Sequence, residues 1–459
     1  MIRKQDVIDR ATEWQLRPEV VEKDYVLGWL LASLAAEPIR DTWVFKGGTS
    51  IKKCYFETYR FSEDLDFSLL PGAAYTAEAI REALLSLTRR AEESSGIQFP
   101  EDRVEVRAVR NKQGQLTFQA RAAYAGPLAY PGPPRVLFDI TQHERVLEEP
   151  AARSVFHPYP DPLPEGATVA TYSFNEILAE KTRALYERTR PRDLYDVVFL
   201  LDNQPEAFDL PKVRKLFAEK CNSKGLPVPD AAKLLQIAHE DAELASEWAN
   251  MLGHQLPALP HLGDLLARLP DLLAWVDAPG AVLPRTRLIP YPASPGETQI
   301  ASAGIQYWGQ RIPLESIRFA GANRLMIEFD YNGVHRVVEP YSLRRAGTGN
   351  VLLYAWELGS THVKAFNTGK MENLITTNKS FSPRYQVEFS AGGGVEIPES
   401  MRRTPSRRGL SSGTKYVFEC LTCQKRFTRR SNSPSLGKHK AKGSSWSCPG
   451  SMGFLVEIR

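Results

Sequence analysis

The sequence predicts a multidomain chain of the α+β and α/β classes. A mixed sheet with helices comes first, then a small β module, then a mini-domain sized for a metal. Three observations predict this. Helical and strand patterns alternate through residues 1–276. Residues 277–299, "DAPGAVLPRTRLIPYPASPGETQ", have the proline and glycine content of a linker, and β patterns dominate 300–391. A second loop-like stretch, 392–413, precedes residues 414–459, which hold three of the five cysteines. A length of 459 residues agrees with about three domains.

The elements follow in order. Residues 5–36 carry apolar positions at helical spacing and close before Pro38. "TWVF" (42–45) is a short strand running into Gly47–Gly48, and "TSIKKCYF" forms one or two helical turns. "DLDFSLL" (64–70) alternates charged and apolar residues, as a strand with one polar face does. Residues 74–96 form a helix, with Thr76 as N-cap and Gly96 as stop. "RVEVRAVR", "QLTFQARAAY" and "PRVLFDIT" read as strands. A helical stretch over 173–203 is interrupted by Pro191, and more helix follows between Pro211 and Val276. "RLMIEFDY", "HRVVEPYSLR", "VLLYAWEL", "HVKAFNTGKM" and "YQVEFS" supply the second module's strands.

Composition excludes several classes. Hydrophobic residues make up 42% and charged residues 24%, ordinary for a globular protein. No window approaches the roughly 18 apolar residues of a membrane helix, so no membrane partner is expected. The polar start "MIRKQDVIDRATEWQ" has no apolar segment of a secretory signal. Five cysteines do not make a disulfide scaffold at this length, and a reducing cytoplasm is the simplest compartment. The net charge of +4 hides an asymmetry: residues 401–445 hold twelve lysines and arginines against one acid, Glu419. That is either a solvated basic tail or a footprint for phosphate backbones.

The chemistry-bearing stretch is "KGGTSIKKCYFETYRFSEDLDFSLL", Lys46 to Leu70. Asp64 and Asp66, two apart on a strand, point to one face while Leu65 and Phe67 point to the other. Two carboxylates so close repel unless a cation lies between them, and hard oxygen ligands suit Mg²⁺. Gly47 and Gly48 offer unshielded backbone amides, and Thr49 and Ser50 offer hydroxyl donors. A phosphate-cradling turn beside a metal-holding strand is what nucleotide chemistry needs.

"FKGGTSIKKCYF" followed by "RFSEDLDFSLL" resembles the AbiEii-type nucleotidyltransferase toxins, a branch of the DNA polymerase β-like nucleotidyltransferase superfamily. "EKDYVLGWLL" and "EILAEKTRALYERTRPRDLYDVVFLL" are similar to that family's opening and later helical motifs, so the resemblance covers about residues 1–270. It implies a nucleotidyltransferase mixed sheet that transfers a nucleotide from an NTP, with Mg²⁺, to an acceptor such as the end of tRNA. Asp64 and Asp66 would hold the metal; Gly47, Gly48 and Thr49 would contact phosphates; Ser62 occupies the family's small polar position. A third carboxylate usually comes from a neighbouring strand. Asp139 is the candidate, with a strand-end turn cap as the other reading. Lys181 matches the family's lysine and would neutralise triphosphate charge, or is an exposed helix lysine. Asp193 and Asp196 match its terminal acidic motif and would orient Lys181 or the substrate, or cap the helix start after Pro191. An RNA acceptor, a cognate antitoxin and a place in phage defence are implied. The rival classes are a nucleic-acid-binding regulator or defence sensor, and an enzyme modifying protein hydroxyls.

"IEFDYNGVHRVVEPYSLRRAGTGNVLLYAWELGSTHVKAF", continuing to "FSP", resembles a WYL domain, a small SH3-like β-barrel. Arg336, Arg344, Arg345 and Lys364 are its candidate phosphate contacts. In the last module Cys420 and Cys423 form C-x₂-C, with His439 and Cys448 beyond. Three thiolates and an imidazole are a tetrahedral Zn²⁺ set, and some 45 residues bury too little core to fold without help. Lys425 and Arg426, with Phe427 and Trp446, suit RNA or DNA contact; a purely structural clip is the alternative. Cys54 and Cys221 are read as ordinary thiols.

Overall fold

The computed structural model describes residues 1–110, 114–203, 208–278, 280, 289, 297–300, 313–389, 416–429, 433–441 and 447–458. Most of both expected linkers lies outside these residues, as do Trp446 and the basic residues between Arg402 and Lys415. The chain divides into two compact units, Met1–Met401 and Arg402–Arg459.

The first unit opens with α1 (Lys4–Glu13) and α2 (Pro18–Ala35), two helices where one had been expected. Gln15 takes a left-handed φ of 55°, and Pro18 starts the second helix, where its missing N–H costs nothing. Next come β1 (Trp43–Lys46), α3 (Gly47–Ser50) and a π-helical turn over Ile51–Tyr55. β2 (Asp64–Leu69) and α4 (Ala77–Ser95) follow. Thr76 Oγ1 accepts the Ala79 amide, and Gly96 ends α4 at φ 78°, both as expected. The sheet is completed by β3 (Val104–Arg110), β4 (Leu116–Ala123), β5 (Arg135–Thr141), β6 (Ala151–Ser154) and β7 (Thr168–Thr171). Its order is β3-β4-β5-β2-β1-β7-β6. β2 runs parallel to β5 and antiparallel to β1, so the sheet is mixed.

Helices α5 (Phe174–Arg188) and α6 (Pro191–Asp202) are separated where Thr189 turns left-handed at φ 46°. α7 (Leu210–Ser223), α8 (Ala231–Glu240), α9 (Ala242–Ser246), α10 (Trp248–Leu252) and α11 (Leu262–Leu273) complete the helical part. Beyond it, β8 (Thr298–Gln299) falls at the end of the stretch expected to be linker and pairs with β10. α12 (Leu314–Ala322) interrupts the region expected to be all β. Every residue of α12 except Glu315 is buried, so no polar stripe marks it as a helix.

The second sheet uses β9 (Leu325–Tyr331), β10 (Val334–Arg345), β11 (Val351–Glu357), β12 (Val363–Asn367) and β13 (Met371–Ser380). Its order is β12-β11-β10-β9-β13, antiparallel throughout. α12 ties it to the helices: Arg318 pairs with Glu57 at 2.7 Å, and the Tyr195 hydroxyl donates to Asn323 at 2.6 Å. One apolar core runs through the whole unit.

The second unit is a three-stranded sheet, β15 (Arg426–Arg429) – β14 (Tyr416–Cys420) – β18 (Gly453–Ile458), with a ladder of β16 (His439–Lys440) and β17 (Ser447–Cys448).

Candidate active site

Strand register builds the site. Lys46 stands opposite Asp66 across β1–β2, Asp66 opposite Asp139 across β2–β5, and Asp139 opposite Gln119 across β5–β4. Directly paired residues share a face, so Lys46, Asp66 and Asp139 form a row, with Asp64 two residues back on that face. Asp139 therefore lies on the same face as the two carboxylates. All three are half-buried. Burial pushes the Asp66 carboxyl up to about 6; Lys46 opposes this while Asp139 and Asp64 add to it. Burial also raises Asp64, against Lys23, and Asp139, against Lys46. Three neighbouring carboxyls that resist ionisation make a site that a hard divalent cation would relieve.

The glycines do more than leave amides unshielded. A Cβ on Gly47, at φ 79°, would fall 2.1 Å from Asp66 Oδ2; one on Gly48 would fall 2.8 Å from Arg60 Nη2 and 3.0 Å from Ser62 Oγ. The turn lies directly on a carboxylate and a guanidinium, and only glycine permits that approach. Thr49 and Ser50 depart from expectation. Both are buried, and their hydroxyls donate inward, Thr49 to the Asp64 carbonyl at 2.5 Å and Ser50 to the Gly47 carbonyl at 2.9 Å. A hydroxyl has one proton, so Thr49 pins the turn to β2, Ser50 braces the turn on itself, and neither donates to a phosphate. The backbone amides of the first turn of α3 remain, lacking intrahelical acceptors.

Behind the turn, Asp196 on α6 is fully buried and takes both Arg60 (Nε 2.7 Å, Nη2 2.9 Å) and Lys181 (2.7 Å). Arg60 also donates to Gln255 at 2.8 Å. Burial alone would raise the Asp196 carboxyl; Arg60 and Lys181 hold it well below the usual range instead. Asp196 holds Lys181 in an ion pair. Asp193 does not: it accepts two hydrogen bonds from Arg188, at 2.7 and 2.8 Å, and staples the α5–α6 junction. Sequence reasoning missed Lys46, Glu144 and Lys224, in which the carboxylate of Glu144 bridges the two ammonium groups. Strand alternation across the β1–β2 pair was the available signal for Lys46.

The second sheet's candidates divide. Arg336 and Lys364 both pair with Glu357 and line an open groove of about 420 Å³ with Tyr331, His362 and Phe366. Arg345 is half-buried at the end of β10. Arg344 is a correction: it is fully buried, 3.2 Å from Glu388 and stacked over Tyr354, out of reach of a phosphate. In the second unit Arg426 pairs with Glu419 at 2.7 Å, and Lys425 lies 6.0 Å from the Phe427 ring.

Cys420, Cys423, His439 and Cys448 converge, with ligand atoms all within 4.8 Å of one another. Cys420 and Cys448 sulfurs are 3.8 Å apart, too far for a disulfide and right for two thiolates on one tetrahedral ion. His439 Nε2 faces the Cys423 sulfur at 3.4 Å, while Nδ1 is held by the Gly437 carbonyl at 2.9 Å. Amide hydrogen bonds, Cys423's first, bring the Cys420 thiol down to about 6, favouring the thiolate. The four residues fit Zn²⁺.

The family described as "Nucleotidyl transferase AbiEii toxin, Type IV TA system" matches residues 29–278. Among solved structures, MenT4, a nucleotidyltransferase toxin from Mycobacterium tuberculosis H37Rv, is similar at 19% identity and a TM-score of 0.41, over 61% of this chain and 90% of that chain. No curated protein matches the chain.

Proposed function

The chain belongs to the AbiEii family of nucleotidyl transferase toxins, and we propose that it moves a nucleoside monophosphate from a Mg²⁺–NTP complex to an RNA acceptor, with tRNA the favoured one. The observation carrying this reading is the row of Asp66 and Asp139 with Asp64 beside them, in strand register next to the Gly47–Gly48 turn. A divalent cation bound there would polarise the phosphates and acidify the attacking hydroxyl. This chain's own residues do the rest. Asp64, Asp66 and Asp139 would hold the cation. The amides of Gly47, Gly48 and Thr49 orient the phosphates, with Ser62 at the rim. Lys181, held by Asp196, offsets triphosphate charge. The acceptor oxygen bonds to the α-phosphorus, the bond to the bridging oxygen of pyrophosphate breaks, and the hydroxyl proton goes to Asp139.

The other modules extend this reading. Residues 1–276 are the catalytic domain, 300–391 a WYL-like, SH3-like domain, and 414–459 a module that Zn²⁺ folds. The Arg336–Lys364 groove, with Arg345, and the Lys425–Arg426 edge of the zinc module guide an RNA strand. Membership of a type IV toxin–antitoxin family supports a cognate antitoxin and a role in phage defence. Among the described residues no helix is long and apolar enough to cross a membrane, and the reading places the enzyme in the cytoplasm. The test is transfer of label from [α-³²P]NTPs to total RNA. Asp64→Ala and Asp66→Ala lose it by about 10²–10³-fold or more, as removal of a preorganised electrostatic group does. Undiminished transfer in both variants sinks the reading.

A further inference from the structure

The buried and half-buried cations flanking the carboxylate row pair with carboxylates, with one exception among the described residues. Lys46 and Lys224 share Glu144, Lys181 and Arg60 share Asp196, and Lys23 pairs with Glu63 at 3.0 Å. Arg192 is the exception. It is half-buried at the second position of α6, yet its guanidinium makes no hydrogen bond or ion pair among the described residues. Its surroundings explain why no carboxylate reaches it. The adjacent Asp193 is turned to Arg188, and Asp196 is saturated by Arg60 and Lys181. Asp64 is within electrostatic reach but belongs to the carboxylate row. Burial and the like charge of Arg60 both weigh against the Arg192 cation. The guanidinium still reaches solvent, so water can satisfy it in the free protein, and its five donors stay available to an arriving anion.

The ligand chemistry follows from the neighbours. An anion arriving here must bring oxygens for a planar fork and must tolerate three carboxylates, so it must carry its own divalent cation. The phosphate tail of a metal-bound NTP meets both conditions, and a guanidinium grips two of its oxygens at once. We propose that Arg192 binds the β- and γ-phosphates of the nucleotide, completing the grip that Lys181 begins. This rests on the nucleotidyltransfer reading above. It gives Asp196 a second purpose: by engaging Arg60 and Lys181 it leaves Arg192 unclaimed.

The experiment uses the full-length, zinc-loaded chain and calorimetry with Mg²⁺ and the α,β-methylene analogues of the four NTPs, which cannot transfer. Arg192→Ala should weaken the preferred analogue roughly 10- to 100-fold, the range for a charge-assisted hydrogen bond. Arg192→Lys should fall between the two, since a lysine keeps the charge and loses the fork. AMP, which lacks the β- and γ-phosphates, should bind wild type and Arg192→Ala alike. Equal analogue affinity in Arg192→Ala overturns the assignment. So does an unchanged analogue affinity with a raised KM for total RNA, which would move Arg192 to the acceptor's phosphates. A wild-type chain that binds none of the analogues fails earlier, at the nucleotidyltransfer reading itself.

Discussion

The carboxylate row and the Cys–His cluster both gather groups that repel one another, and they rest on supports of very different size. Asp64, Asp66 and Asp139 stand on strands whose alternate residues, Leu65, Phe67, Phe138 and Ile140, are buried in the core of the larger unit. Their flanking charges are already matched through Glu144 and Asp196. In the second unit the described buried cluster is Phe418, Cys420, Leu436 and Cys448. Two of those four, Cys420 and Cys448, belong to the candidate Zn²⁺ set. The first site is built by the fold before any cation arrives; in the second a bound cation would stand where a core would be.

Metal removal breaks that comparison most forcefully. Stripping Zn²⁺ with a strong chelator, or Cys423→Ser, removes the apparent ~10–16 kcal/mol that structural zinc supplies to such modules. Hydrogen exchange should then show lost amide protection across 416–429 and 447–458, while β1, β2 and β5 keep theirs. Protection that survives chelation in the second unit would mean its small core suffices. Withholding Mg²⁺ should change protection in neither.

A next, smaller effect probes the buried charges behind the turn. Arg60→Met leaves Asp196 fully buried with Lys181 alone, and breaking a buried pair in this way costs about 3–5 kcal/mol. The acid limb carries the same signature. The folded Asp196 carboxyl titrates far below the ordinary carboxylate range, so its contribution is fully present above about pH 4–5 and is lost as pH falls. Urea midpoints from pH 7 to pH 3 should drop steeply for wild type and less for Arg60→Met, which starts lower. Parallel curves would show that Arg60 does not set the Asp196 titration.

Some of this was legible in the sequence and some was not. Alternation in "DLDFSLL" put Asp64 and Asp66 on one face, and Thr76 and Gly96 marked α4 at both ends, because these signals are local. Asp139 was only a candidate, since which strand lies beside β2 is a matter of topology. Lys46 was missed for that reason: its place opposite Asp66 exists only once β1 and β2 pair. Arg344 and Asp193 misled, because a charged residue's sequence does not say whether its partner (Glu388, Arg188) arrives from the same molecule. α12 was hidden by its burial, which erases the polar stripe that announces a helix.

The finest distinction lies inside the Gly-Gly turn, where the two glycines guard different neighbours. Gly47→Ala forces a left-handed residue, at about 1–2 kcal/mol, and drives a methyl against Asp66 Oδ2, 2.1 Å from the ideal Cβ. Asp66 must swing out of the row, so the larger consequence is weaker divalent binding, readable as a several-fold loss of Mn²⁺ affinity by calorimetry. Gly48→Ala carries no such backbone strain. Its methyl meets Arg60 Nη2 and Ser62 Oγ, and Arg60 is clamped by Asp196 and Gln255, so the strain passes to the buried ion pair, at about 1–3 kcal/mol. Gly48→Ala should therefore lower the urea midpoint and leave Mn²⁺ affinity near wild type, while Gly47→Ala loses affinity out of proportion to its stability. Two variants that lose affinity and stability in the same ratio would show that the turn acts as one rigid piece, with no division of labour between its glycines.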